Sequence, residues 1–331
     1  MTDAPGRRRP VRRAHAVGVL LAGVLVLALV LPGLLGLNGV TPFAQAVALR
    51  GVVGLSLAGL AALLVVLPGR RATWPTAAVL LAGAAIGTGV LLERGTVGLV
   101  GPDAPPVADA TALVVLVLNT QDSARPDDVA RLVVERRADV VVLPETRSRD
   151  AARVAAATSA AGWPLQVLAD DGAGPSATGA TALLLAEGLG HYEVTGRQGG
   201  TLAGFTATGK GPEVTAVHPF PPLPGATATW HEEGAVAVAT CEATPGAIVA
   251  GDFNTTPDHP AFAGLSRCVL ATVEGGAGGV GTWPARLPRA LGAPIDHVLV
   301  DARTWRVERA AVLNPPAGTD HRAVEVVLRS R

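Results

Sequence analysis

Lysine, aromatic residues and cysteine are all scarce in this 331-residue chain, and each scarcity removes a class of function. Lys210 is the one lysine, and Phe, Trp and Tyr together make up 3% of the residues. Runs of Lys and Arg with interleaved aromatics, the surface of a tight nucleic-acid binder, are therefore missing. Because Arg, Ala, Gly and Val abound, the lysine deficit reads as genomic base composition rather than function. Two cysteines, Cys241 and Cys268, are too few for a metal site built from cysteine alone. Acids are nearly absent from the first hundred residues, which hold Asp3 and Glu93 against nine Arg, a balance of +7. The remainder holds 18 Lys and Arg against 25 Asp and Glu, a balance of −7, so the net charge of zero conceals two regions of opposite sign. There is no internal repeat.

Three apolar stretches fill the basic front. Residues 16–37 carry no charge; residues 51–67 carry none and extend back through 43–49 if Arg50 is tolerated; residues 77–92 are rich in Ala and Gly. A bilayer-spanning helix takes about 20 mostly apolar residues, so the pattern predicts three transmembrane helices within 16–94, behind a basic tail, 1–15. A cleaved signal peptide is the rival reading of the first stretch. Its apolar core is too long for that, and no small-x-small site precedes the second stretch. Arg7, Arg8, Arg9, Arg12 and Arg13 precede the first span, Arg70 and Arg71 separate the second from the third, and residues 36–41 carry no positive charge. Three spans put both clusters on one side, which places the N-terminus in the cytoplasm and residues beyond the third span outside it. The expectation is a multi-pass protein of the cell membrane, with the lipid bilayer as a partner. Residues 95–110, with Pro102, Pro105 and Pro106, read as a stiff linker, and 111–331 suffices for one soluble domain. A transporter or channel is excluded, because Arg50 is the one charged group in the spans and most of the chain lies beyond them.

In that domain, polar residues recur at the ends of apolar runs. The run 113–118 ends in Asn119, and 139–143 leads to Pro144-Glu145. The run 214–217 ends in His218, and 247–250 runs into Gly251-Asp252-Phe253-Asn254. Asp296 lies within the run 295–300, and Asp320-His321 precedes 323–328. Strand alternation turns Asp252 and Asn254 the same way at the rim of a sheet, where functional groups gather. It turns His297 to the face opposite Asp296. Any one of these groups also suits a turn or cap; six in one order do not arise so easily. Helices are expected at 126–137, 150–161, 228–242 and 259–267, with strands near 112–118, 139–143, 180–186, 190–195, 202–208, 213–217, 246–250, 269–273, 295–300, 304–312 and 323–328. Strands at short spacing among a few helices indicate α+β with mainly antiparallel pairing. Cys241 and Cys268 flank the 251–254 segment; a disulfide in an oxidising compartment and two buried free thiols both remain open. His259 either lines the site or caps a helix.

The order of these residues resembles the endonuclease/exonuclease/phosphatase superfamily, which includes DNase I, AP endonucleases, neutral sphingomyelinases and inositol polyphosphate phosphatases. The resemblance runs from about Thr111 to Arg329 and is strongest at Leu143-Pro144-Glu145, Gly251-Asp252-Phe253-Asn254, Ile295-Asp296-His297 and Thr319-Asp320-His321. Gly281-Thr282-Trp283-Pro284 also looks like a segment of bacterial members. Thr319 stands where the family usually has Ser, and there is little sequence for the long insertions of some relatives.

The resemblance implies a four-layer α/β/β/α sandwich with its site at one rim. It implies a metal-dependent phosphoric ester hydrolase using Mg²⁺ or Mn²⁺ on a phosphate-ester substrate. Glu145 would hold the metal with Asn119 beside it, and Asp320 offers a further hard oxygen. Asp252 would orient or deprotonate water, Asn254 and His321 would contact the phosphoryl group, Asp296 would fix His321, and His218 would act on the leaving-group side. Nuclease and lipid or small-molecule phosphatase compete as substrate readings. The alternative of another class is a membrane-anchored binding or scaffold protein that keeps the fold without the reaction. Every expected polar position is filled, which favours the enzyme.

Overall fold

The computed structural model describes residues 8–66, 73–99, 111–172, 176–202 and 204–331. The chain divides into two compact units between Leu91 and Leu92. The first contains α1 (Arg8–Val30), α2 (Phe43–Ala48), α3 (Arg50–Val66) and most of α4 (Trp74–Glu93). The sequence suggests a first span through residue 37, but Pro32 and Gly33 follow α1 and turn the chain into a short 3-10 segment that ends on Gly36 at φ +68°. Proline lacks the N–H that would continue the helix. Residues 43–49 do not extend the second span either; they form the separate helix α2. Among the described residues, α4 is the one helix long and apolar enough to cross a membrane; the apolar helical stretches His15–Val30 and Arg50–Val66 are shorter. Val26, Val30, Leu57, Ala61, Ala77, Leu80 and Ala84 form the interior of this unit. At Gly83 a Cβ would lie 2.3 Å from Val26 Cγ1, so the helices approach over a residue with no side chain.

The second unit runs β1 (Leu113–Val117), α5 (Pro126–Arg136), β2 (Val140–Pro144), α6 (Ser148–Ala160), β3 (Leu165–Asp170), β4 (Thr181–Ala186), β5 (Tyr192–Arg197), β6 (Phe205–Gly209), β7 (Val214–Val217), α7 (Thr227–Ala243), β8 (Ile248–Asp252), β9 (Cys268–Leu270), α8 (Ala271–Glu274), β10 (Asp296–Asp301), β11 (Trp305–Val312) and β12 (Val324–Ser330). One sheet has the order β11-β12-β1-β2-β4-β3, the other β5-β6-β7-β8-β10-β9. Each is antiparallel except at one central pair, β1 with β2 and β7 with β8. The central strands are apolar throughout because both faces of each sheet are covered. Val115, Val117, Val140, Val142, Ile248, Ala250, Val298 and Val300 meet between the sheets. Val114, Leu116 and Val141 face Val129, Val133 and Val154 of α5 and α6. On the far side, Val249 and Leu299 face Ala237 and Cys241 of α7. The layers are helix, sheet, sheet, helix, as expected.

The helix expected over 259–267 reduces to one 3-10 turn, Pro260–Phe262, and the chain turns away at Gly264 with φ +82°. The strand expected over 269–273 ends at Leu270 and passes into α8. Of the linker read over 95–110, residues 100–110 lie outside the described residues. Residues 95–99 do not stand free. The Val97 N–H donates to Gly276 O at 2.8 Å, and Leu99 packs against the core between the sheets.

Candidate active site

Side-chain parity builds the site. Residues 115 and 117, 214 and 216, 248 and 250, and 298 and 300 all point between the sheets. Two residues further along three of these strands come Asn119, His218 and Asp252; two before Val298 comes Asp296. The apolar core thus ends at one rim in polar groups from both sheets, and all four are buried. Glu145 has the opposite parity to Val140 and Val142, but its φ of +55° lies in the left-handed region and breaks the alternation. The Asn119 amide then donates to Glu145 Oε1 at 2.9 Å and to Asp252 Oδ2 at 3.1 Å.

Gly251 is required where β8 passes Val217. A Cβ there would lie 1.9 Å from the Val217 carbonyl oxygen. The strand ends at Asp252, and its Oδ1 accepts the Asn254 N–H at 2.8 Å. Asn254 takes φ +48°, so the alternation that paired it with Asp252 does not continue. Its amide donates instead to Pro219 O at 3.0 Å, beside His218.

His321 is held at both ends. Its Nδ1 lies 3.0 Å from Asp296 Oδ2, and its Nε2 lies 3.8 Å from both Asp252 Oδ2 and Asp320 Oδ1. Burial disfavours the imidazolium, but the carboxylate of Asp296, with Asp252 and Asp320 behind it, raises the ring to about 9. His218 Nε2 lies 3.9 Å from Glu145 Oε1 and from Asp252 Oδ2. Burial dominates there and lowers its pKa. Burial thus works against the charge on both rings, and the neighbouring carboxylates overcome it at His321 and not at His218.

The structure brings together Asn119, Glu145, His218, Asp252, Asp296 and His321. Asp320 joins through His321 and through Trp283, whose Nε1–H donates to Asp320 Oδ2 at 2.9 Å. Of the expected oxygen set of Asn119, Glu145 and Asp320, the Asn119 amide is shared between Glu145 and Asp252, and Asp320 accepts from the indole. The donor atoms of Asp252, Asp296 and His321 lie within 4.8 Å of one another. Burial, and then the nearby charges of Asp252 and Asp320, push the Glu145 carboxyl up against the pull of Asn119. The Asp252 carboxyl is raised by burial and by Asp296. Converging buried carboxylates with one imidazolium to offset them, and Asp296 Oδ1 buried without a hydrogen-bond partner, fit a small divalent cation that prefers oxygen.

Other histidines fall elsewhere. His259 Nδ1 accepts the Thr256 N–H at 2.8 Å and closes the turn after Asn254. His297, on the opposite face as expected, reaches Thr255 O at 2.9 Å and Thr272 Oγ1 at 3.0 Å, among Phe253 and Phe262.

A model of the Endonuclease/Exonuclease/phosphatase family matches residues 116–321, more than half of the chain. The chain belongs to this family. A search of curated proteins finds no match in sequence. Among solved structures, a family member from Beutenbergia cavernae is 18% identical with a TM-score of 0.51, over 66% of this chain and 72% of that one. Humanized D. rerio TDP2 is 15% identical with a TM-score of 0.51, over 66% of this chain and all of the other. The mannosyl-6-phosphatase Bt3783 of Bacteroides thetaiotaomicron is 16% identical with a TM-score of 0.50, over 65% and 99%. At these identities the likeness is one of fold.

Several residues that shape the candidate site were given no role by the sequence. Thr282 Oγ1 accepts the N–H of Ile295 at 3.0 Å and of Asp296 at 3.3 Å, which seats Asp296. Thr319 donates to Asn119 O at 2.7 Å and accepts the His321 N–H at 3.0 Å, so the hydroxyl before Asp-His joins the two motifs. Glu233 of α7 accepts the Thr201 N–H at 2.6 Å and the Phe220 N–H at 2.7 Å, holding the loop after His218. The Gly281–Pro284 segment signalled the first of these and the Thr-Asp-His triplet the second. Glu233 had no signal, being one of two adjacent acids in a helix.

Proposed function

We propose that this protein is a membrane-anchored, outward-facing phosphoesterase that depends on a divalent metal and cleaves a phosphodiester or phosphomonoester. The observation that carries the reading is the convergence at one rim of the Glu145–Asn119–Asp252 cluster with the Asp296–His321 pair. Ester hydrolysis takes an activated water and charge neutralisation at the phosphoryl oxygens. Glu145 and Asn119 would hold Mg²⁺ or Mn²⁺, which when bound would supply positive charge to the phosphoryl oxygens. Asp252 orients the attacking water and takes its proton. His321, kept charged by Asp296, hydrogen-bonds a phosphoryl oxygen. His218, whose pKa burial lowers, stands on the leaving-group side, where Asn254 positions it through Pro219. Asp320 acts from behind His321.

Two features support an uncharged or apolar ester substituent over a polynucleotide. The region from residue 101 onward carries −7, where a nucleic-acid binder offers a basic surface. The loop after His218, residues 219–224, is uncharged and exposes Leu223. Membrane anchoring is supported by α4 and by the apolar outer surface of the first unit, where Leu20, Leu21, Leu55, Leu63 and Val66 are each more than half exposed. The Arg clusters at 7–13 and 70–71 support the outward assignment.

The test is hydrolysis of bis-p-nitrophenyl phosphate and p-nitrophenyl phosphate by the full chain in detergent, with and without EDTA. EDTA-sensitive release from one ester is expected, and the preferred ester separates diester from monoester chemistry. Release from neither would favour the scaffold alternative. A reporter active only outside the cytoplasm, fused after Arg331, should be active; signal from a cytoplasm-only reporter there would reverse the topology.

A further inference from the structure

The chain leaving α4 is built into the catalytic unit. Arg94 Nη1 and Nη2 donate to Asp258 Oδ2 and Oδ1, one nitrogen to each oxygen. The two side chains are 17% and 14% exposed, which separates this pair from the water-screened pairs of the surface. Asp258 lies in the loop that follows Asp252 and Asn254 and that His259 closes by accepting the Thr256 N–H.

Behind this pair runs a main-chain seam. Gly278 N–H donates to Arg94 O and Gly279 N–H to Gly95 O, both at 3.0 Å, and Val97 N–H donates to Gly276 O at 2.8 Å. The approach is so close that a Cβ on Gly95, at φ +93°, would lie 2.1 Å from Gly276 O. Farther on, Arg289 donates to Gly98 O and, at 2.7 Å, to Val312 O. The segment between residues 276 and 289 contains Thr282, which seats Asp296, and Trp283, which holds Asp320. One short stretch, 94–99, therefore grips both loops that orient the site: 253–259 through its side chain and 276–289 through its backbone.

We infer that residues 94–99 are a strap that sets the catalytic geometry, and that Arg94 is a positioning residue acting through Asp258 on Asp252 and Asn254. The inference rests on the phosphoesterase reading of the site. It gives the segment after α4 a part in the reaction beyond that of a tether. The strap fixes loops rather than touching substrate, so its loss displaces groups that must be aligned in the transition state and leaves substrate binding nearly intact.

The test uses full chain in detergent, wild type and Arg94→Ala, Asp258→Asn and the double variant, with two readouts. On the better nitrophenyl ester, each single variant should lower kcat by about 10- to 100-fold with KM little changed. The double variant should be no worse than Arg94→Ala, since both remove one interaction. Arg94→Lys, which keeps the charge but not the two-pronged geometry, should fall between. Hydrogen exchange should quicken in Arg94→Ala at 253–259 and 276–283 and stay unchanged at β3 and β4. Wild-type kcat in the variants, losses that multiply, or exchange that quickens through the whole unit would each overturn the strap. If the wild type cleaves neither ester, exchange still decides: local quickening upholds the strap and removes only the reading of the reaction, and unchanged loops remove the strap.

Discussion

His321 sits between two carboxylates, with Nδ1 3.0 Å from Asp296 Oδ2 and Nε2 3.8 Å from Asp252 Oδ2. A ring bonded through Nδ1 has its Nε2–H fixed in direction. If Asp296 works only through this ring, Asp296→Asn and His321→Ala are not independent. Each should lower kcat by about 10²- to 10⁴-fold, more than it raises KM. The double variant should cost little beyond His321→Ala alone. A double variant whose loss is the product of the two would separate Asp296 from His321.

Glu145 and Asp252 share the amide of Asn119, so removing the charge of one should relieve the other while leaving the packing intact. Glu145→Gln is isosteric and should fold as the wild type does. It should weaken divalent-ion binding and lower the rate by about 10²-fold or more. Calorimetric titration of Mn²⁺ reads the first effect without reference to activity. Wild-type Mn²⁺ affinity in the variant would remove Glu145 from the ligand set.

The strands were legible in the sequence as short apolar runs, because both faces of the central strands are buried, whereas the four-layer sandwich and its rim came from the family resemblance. Asn119, His218, Asp252 and Asp296 occupy positions that continue the inward parity of their strands, so placing the strands placed the side chains. Alternation failed where the backbone left the extended region, at Glu145 and Asn254, both with positive φ. No pattern of apolar residues encodes such a turn. The first apolar stretch reads longer than its helix because hydropathy runs on through Pro32, whereas α1 ends at Val30. The strap was missed for a different reason: Arg94 and Asp258 are 164 residues apart, and only the closed fold brings them together.

The C-terminal end of α7 is tied to β9 in two ways, which gives two stability predictions. Cys241 and Cys268 form a disulfide with a Cα–Cα distance of 6.2 Å, closing a 27-residue separation. A loop of this size is stabilising by about 3 kcal/mol. The variant Cys241→Ser/Cys268→Ser should lose about that much in denaturant unfolding. Reductant should lower the wild type toward the variant and leave the variant unmoved.

Beside it, Glu242 accepts the N–H groups of Ser266, Arg267 and Cys268 and the Ser266 hydroxyl. Burial opposes the charge, but these bonds prevail and hold the carboxyl at about 2, against 4.5 when unperturbed. A folded-state value below the unfolded one means stability that is present above pH 4.5 and is lost as the pH falls toward 2. Thermal unfolding of Glu242→Gln should therefore trail the wild type most above pH 4.5, with the gap closing on acidification. A gap constant from pH 6 to pH 2 would mean that the carboxylate charge is not what holds Ser266–Cys268.

Gly251 links the sequence, the fold and the site most directly. It pairs with Val217 across the parallel β7–β8 junction and precedes Asp252, while Val217 precedes His218. An added methyl would lie 1.9 Å from the Val217 carbonyl oxygen, a backbone atom that cannot swing aside as a side chain can. The φ of +155° adds a conformation that L side chains rarely adopt. Gly251→Ala must therefore part the two strands at the point where they deliver Asp252 and His218. A loss of about 2 kcal/mol or more is expected from strain and overpacking. Activity at a temperature where the variant remains folded should fall further than the folded fraction does, because the two side chains are displaced together. Near-wild-type stability and kcat in Gly251→Ala would show that this junction yields, and that the close approach of β7 and β8 does not set the geometry of the rim.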